Sequence, residues 1–266
     1  VAVTSDLHYD PTGTLTPPDV IRALVGQIAA AEPDALVIAG DLAHGLPLFE
    51  ACLECFASLN APVGVIPGNH DIWRDPIAGL SSLALLETAL PTACRKRGFT
   101  WLEEDSLLVR DVAIVGGMCW YDYSAVDPAV GISGDTLEAA KSLYNNDAHW
   151  VDWAYSDREM SSRLLEGLAR RLAVVARDSA VRAILVATHV PVLEQQMVRK
   201  PENPRWGLSN AYFGNLTAGR IILGEPKVEA ITSGHTHVAR SGTVPREPGA
   251  PVRYEVIGSE YGTPVF

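Results

Sequence analysis

Seven histidines stand in the chain, and six of them follow short runs rich in Val, Ile and Ala. His8 follows VAVTSD, His44 follows LVIAGDLA, His70 follows VGVIPGN and His189 follows AILVAT. His235 and His237 follow VEAITSG. Histidines placed by chance or for packing would scatter over helices and surfaces. In open α/β sheets, ligands bind beyond the carboxyl ends of the strands. One cleft is therefore expected to collect nearly every imidazole. The seventh, His149 in NNDAHW, stands apart and is expected at the surface or in packing.

The companions of these histidines are oxygen donors. Asp6 precedes His8 by two residues, Asp41 follows Gly40, and Asn69 and Asp71 flank His70. In an extended segment, residues i and i+2 point to one side, so D-x-H and H-x-H pairs can grip one cation together. Gly40, Gly68 and Gly234 precede the donors, where a sharp turn after a strand calls for unusual dihedrals. A mixed nitrogen and oxygen set suits zinc, iron or manganese better than magnesium or calcium. None of the four cysteines falls in these loops, which counts against a closed structural zinc site. The donors are too many for a single four-coordinate ion. Two ions about 3.5–4 Å apart, with open positions, would use them.

Elements must bring these loops together. Strands are expected at Val1–Thr4, Ala35–Ala39, Val63–Ile66, Ala113–Gly116, Ala183–Ala187 and Val228–Thr232. Helical apolar spacing fills Val20–Ala31 and Phe49–Leu59 between the first three. Such alternation argues an α/β fold with parallel pairing and both sheet faces covered. Ser241–Val244 and Arg253–Ile257 are expected as closing strands of an antiparallel or mixed edge. The amphipathic run Arg158–Arg177 is expected as an outer covering helix. Residues 120–156 are aromatic, acidic and aperiodic, and are expected as a cap-like insertion. A long loop is expected at about 190–215, the whole of 1–266 forming one domain.

The formal net charge of -11 argues against broad, non-specific binding to nucleic acid or to an anionic membrane. Cys52 and Cys55 form a C-x-x-C, but they sit in LFEACLECFASL at helical spacing and are expected in the core. No apolar run approaches the roughly 20 residues of a membrane helix. The chain opens on a strand with no visible signal peptide, so a cytoplasmic location is expected.

Five motifs in order carry a resemblance. They are D-x-H (Asp6, His8), G-D-x-x-H (Gly40, Asp41, His44), G-N-H-D (Gly68 to Asp71), T-H-x-P (Thr188, His189, Pro191) and G-H-T-H (Gly234 to His237). Together they resemble the calcineurin-like metallophosphoesterase superfamily. The resemblance implies a four-layer α/β/β/α sandwich of two mixed β-sheets flanked by helices. It implies one metal at Asp6, His8, Asp41 and His237, and a second at Asp41, Asn69, His189 and His235, with Asp41 bridging. The ions would be Mn, Fe or Zn, and a hydroxide shared between them would attack a phosphomonoester or phosphodiester. His70 would act as general acid for the leaving group or as a stabiliser of charge, as imidazole chemistry allows.

At one position the sequence departs from the pattern of the family's protein phosphatases. His44 stands where those enzymes carry a carboxylate that orients the acid histidine, and here it resembles repair nucleases and some bacterial phosphodiesterases. His44 is thus expected to meet substrate phosphate or to position His70, with Asp71 a candidate supporting carboxylate or a turn residue. A small phosphate ester is the expected substrate, a nucleotide among the candidates. Trp120, Tyr121 and Tyr123 are expected to face it and stack on a ring. Arg199, Lys200 and Arg205 are expected in a solvated loop. A nuclease and a non-catalytic scaffold on the same fold are the alternatives. No serine or cysteine nucleophile motif and no P-loop occurs.

Overall fold

The computed structural model describes residues 1–266. Four strands build one sheet in the order β1-β2-β3-β4: β1 (Ala2–Thr4), β2 (Leu36–Ala39), β3 (Val63–Ile66) and β4 (Thr100–Trp101). Every pairing in it is parallel. The second sheet has the order β5-β6-β7-β8-β10-β9. Its strands are β5 (Leu107–Val109), β6 (Val112–Gly117), β7 (Ala183–Thr188), β8 (Val228–Ser233), β9 (Arg240–Val244) and β10 (Val252–Val256). β5 and β9 pair antiparallel at the two edges, and the four strands between them run parallel. Mixing is thus confined to the second sheet. The first is parallel because its main crossovers run through helices, as parallel pairing requires. β4 and β5 are two and three residues long, too short to leave a pattern in the sequence.

Three apolar clusters mark the layers. The largest packs the helices Pro18–Ala30 and Leu46–Cys55 on the first sheet through Ile21, Ile28, Phe49, Leu36 and Ile38. A small one, with Ala35, Val37, Ala39, Ile66, Leu102, Ile114 and Ala187, lies between the sheets. A third joins the outer helices Asp157–Arg177 and Leu216–Leu223 to the second sheet through Leu165, Leu168, Leu172, Ile222 and Val186. Helix Asp157–Arg177 starts on a capping box, with Ser156 Oγ accepting from Glu159 N and Glu159 Oε2 accepting from Ser156 N. Cys52 is buried in the first cluster and Cys55 packs against it.

The 120–156 segment is not wholly irregular. It contains the short helices Gly134–Ala139, Lys141–Tyr144 and Asp147–Trp150. At its base lie Trp120, Tyr121 and Tyr123, and here the expectation of substrate-facing rings fails. All three are enclosed, at 0%, 0% and 3% exposure. Trp120 Nε1 donates to Asp157 Oδ1 at 2.7 Å, Tyr121 OH donates to Asp147 Oδ2 at 3.1 Å, and Tyr123 OH donates to Asp157. With each polar tip satisfied internally, burial of the rings carries no unpaired donor, so they form a packed base under the segment. No helix is long and apolar enough to cross a membrane.

Candidate metal centre

The loops after β1, β2, β3, β7 and β8 converge at the carboxyl ends of both sheets. Asp6 N donates to Gly40 O at 3.0 Å, and Gly234 N to His189 O at 2.9 Å, which binds neighbouring loops to each other. The backbone leaves ordinary geometry at the positions where donors are needed. Asp6, His8, Asp41, His235 and His237 all have positive φ, between 44° and 69°. Side chains other than glycine rarely adopt this conformation, and it concentrates at functional sites.

The glycines behave differently from the expectation. Gly40 alone among the three has positive φ, at 92°. Gly68 and Gly234 serve close approach. A Cβ on Gly68 would lie 2.7 Å from Asp41 Cγ, and one on Gly234 would lie 2.5 Å from Asp6 Oδ2.

The donors fall into two adjacent groups. In the first, His8 Nε2 stands 3.4 Å from His237 Nε2 and 3.7 Å from Asp41 Oδ2, and His237 Nε2 is 3.6 Å from Asp6 Oδ1. In the second, His189 Nε2 is 3.5 Å from Asp41 Oδ2, 3.2 Å from Asn69 Oδ1 and 3.2 Å from His235 Nδ1. Asp41 Oδ2 belongs to both. A carbonyl can only accept, so its imidazole partner must donate. His189 Nδ1 donates to Ala39 O at 2.9 Å and His235 Nε2 to Tyr212 O at 3.4 Å. In neutral rings the opposite nitrogens are thereby left as lone pairs directed inward, the usual arrangement around histidine ligands. Neutral imidazole nitrogens facing each other in this way have no good hydrogen bond to share. A cation between them would remove the conflict, so the donor set fits the implied metal ions.

Protonation supports the fit at His8 and His235. Burial lowers the pKa of His8 to about 3 and that of His235 to about 3, keeping both neutral. For His189 burial pulls the same way, but Asp41 and Asp6 outweigh it and raise it to about 9, so a cation bound there would displace its Nε2 proton. Burial would raise Asp41, yet His189, His70 and His8 around it hold it well below the usual carboxylate range.

His70 lies beside the first group, with its ring 4.8 Å from that of His8 and its backbone N donating to Asp41 Oδ1 at 2.9 Å. It stacks on Trp73 at 3.9 Å and 28°. Trp73 stacks in turn on Trp150 at 5.7 Å, and His44 meets both edge-on at 5.3 Å each. His44 is exposed, and burial and then neighbouring His70 lower its pKa. Asp71 does not support His70. Its two oxygens accept from Ala43 N at 2.9 Å and Gly68 N at 2.8 Å, so it clamps two loops, and burial beside Asp41 pushes its pKa up to about 8.

The rings that do border the site are Trp73, Trp150, Phe213 and Tyr261. Tyr261 lies 4.8 Å from His8 and 5.1 Å from His237. Phe213 lies 5.7 Å from His235. Trp73, three residues after His70, had a motif to point to it; Tyr261 and Phe213 had none. Arg199 is occupied by Glu194 and by Ala125 O, Lys200 covers the face of Trp206 at 3.6 Å, and His149 is exposed. A cavity of about 650 Å³ lies beside β1 against Ala230, Thr243 and Arg253, and none of the seven donors lines it.

A model of the calcineurin-like phosphoesterases matches residues 1–239. The chain belongs to that family. This phosphoesterase matches no curated protein. Among solved structures it resembles a phosphopantetheinyl hydrolase from Mycobacterium tuberculosis, with TM-score 0.68 and 20% identity over 98% of this chain and 90% of that one. A dimetal phosphatase from Danio rerio gives 0.53 and 15%, covering 98% and 87%. The protein TT1561 of Thermus thermophilus gives 0.53 and 9%, covering 96% and 88%. At these identities the likeness concerns the fold: two sheets flanked by helices.

Proposed function

We propose that this phosphoesterase works with two metal ions. One would be held by Asp6, His8, Asp41 and His237, the other by Asp41, Asn69, His189 and His235. The observation that carries the reading is Asp41 Oδ2, placed within 3.7 Å of His8 Nε2 and 3.5 Å of His189 Nε2, the hinge between both donor groups. When bound, such a pair lowers the pKa of a shared water and offsets charge on phosphorus. The nitrogen-rich donor set favours Mn, Fe or Zn.

The chain's own groups supply the rest. His70, braced against Trp73, offers a proton or hydrogen bond to the leaving oxygen. His44, exposed near it, is available to a phosphate oxygen or to the leaving group. Trp73 is buried between His70 and Trp150, so the half-buried Trp150 beside His44 is the ring on that side open to an organic leaving group with a flat or apolar portion. This favours a small phosphate ester, monoester or diester, and a nucleotide falls in that class. A nuclease reading gains nothing from the net charge of -11.

The test is hydrolysis by protein loaded with Mn, Fe or Zn. The panel holds an aryl phosphate, a bis-aryl phosphate, cyclic and linear nucleotides, a phosphopantetheinyl ester and single-stranded DNA. Turnover by the wild type, and loss of it in His70→Ala with metal content retained, is the expected result. Two bound ions with no turnover on any ester would favour a non-catalytic scaffold.

A further inference from the structure

Asp147 opens the short helix Asp147–Trp150 in the 120–156 segment, 78 residues from Asn69 in sequence, and is 1% exposed. Its carboxylate meets three donors. Oδ1 accepts from Asn69 Nδ2 at 2.9 Å and from Trp73 Nε1 at 2.7 Å. Oδ2 accepts from Tyr121 OH at 3.1 Å. Nothing in the proposed reaction uses this buried charge.

The two ends of an asparagine amide have nearly the same shape and opposite chemistry. The oxygen can bind a cation, and the NH₂ group cannot. A carboxylate offers only lone pairs, so Asp147 holds the NH₂ of Asn69 toward itself. The oxygen is thereby turned to the other side, where it lies 3.2 Å from His189 Nε2 within the second donor group. The same Asp147 oxygen fixes the indole of Trp73, whose ring lies against His70. Resting on the two-ion reading above, we infer that Asp147 is a positioning residue for both halves of the centre. It selects the metal-binding end of Asn69 and sets the platform beneath His70. The 120–156 segment thus completes the site from beneath, through a carboxylate and not through its large rings.

Calorimetric titration of metal-free protein with Mn²⁺ alone, on samples shown to be folded by circular dichroism, tests this. Wild type binds two ions; fewer than two would overturn the two-ion reading itself, and with it the role of Asp147. Asp147→Leu is expected to keep the first ion and to bind the second at least tenfold more weakly. Wild-type affinity for both ions would overturn the inference and leave the two-ion reading intact. Tyr121→Phe removes only the Oδ2 contact and is expected to bind both ions normally. A loss there equal to that of Asp147→Leu would mean general loosening and would also overturn it. Should Asp147→Leu fail to fold, an exchanged pair decides. Asn69→Asp sets two carboxylates against each other, and adding Asp147→Asn restores an amide–carboxylate pair in reverse. The double variant is expected to bind the second ion at least tenfold more tightly than Asn69→Asp alone. Equal affinities would overturn the inference.

Discussion

Gly68→Ala isolates the contact on which the centre is built. The φ of Gly68 is not in the left-handed region, so alanine meets no backbone penalty there, and only space is tested. The new methyl would sit 2.7 Å from Asp41 Cγ, and still nearer the Asp41 backbone nitrogen. Ordinary van der Waals contact starts at 3.4 Å, so Asp41 must retreat by at least 0.7 Å, the step from 2.7 to 3.4 Å. Asp41 is also the shared donor, so both groups are disturbed at once. A misplacement of about 1 Å in a reacting geometry costs about a hundredfold in rate. Overpacking should cost about 1–3 kcal/mol in stability. Aryl phosphate turnover, Mn²⁺ titration and urea unfolding read these effects. Gly26→Ala is the control: a methyl there meets nothing within 4 Å, in the helix Pro18–Ala30. It should gain about 0.5–1 kcal/mol through helix propensity and keep full activity. Gly68→Ala with wild-type turnover and metal affinity would refute the close approach.

Asp41→Ala should lose both ions together, by elemental analysis after dialysis, while retention of one would contradict the shared role. In the metal-free protein His8 should contribute a loss of stability as pH falls below 6.5, because it has a pKa of about 3 when folded and 6.5 otherwise. Between those values the unfolded chain takes up a proton that the folded one refuses, so this histidine's share rises with pH at up to about 1.4 kcal/mol per unit. His235, also lowered to about 3, acts in the same sense, Asp71, raised to about 8, and Asp6, also raised, act in the opposite one, and His189, at about 9, is protonated in both states throughout this window. The share of His8 is read by difference, as the drop in urea midpoint from pH 6 to pH 4 in wild type against His8→Asn; an equal drop in both would refute it. Trp120→Ala should cost about 3–5 kcal/mol by cavity formation, with KM unchanged in whatever variant protein stays folded.

The convergence of the candidate donors was legible because they follow strands whose apolar runs mark themselves. β3 is found where the sequence puts it, and the other long strands agree to within a residue or so at each end. The side chains around the donors were not legible. Trp120, Tyr121 and Tyr123 looked like a substrate wall because aromatic residues in an aperiodic stretch carry no directional signal. Their burial depends on Asp147 and Asp157, which lie 26 and 37 residues further along the chain from Tyr121 and Trp120. Asp71 sat next to His70 in sequence, yet its side chain turns back to Ala43 and Gly68, since turn geometry separates neighbours. Tyr261 reaches the centre only through the path of the chain after β10, which no local pattern encodes. β4 and β5 were missed because so few residues show no period.

Five non-glycine residues in the left-handed region sit at a single spot, each at about 1–3 kcal/mol above a relaxed backbone. That tension lies at the donor positions themselves. Ions held as proposed would tie these strained turns together, so loading should raise the stability of the loops. The same tension makes the loops a weak point of the metal-free chain, where opening under heat or denaturant should begin.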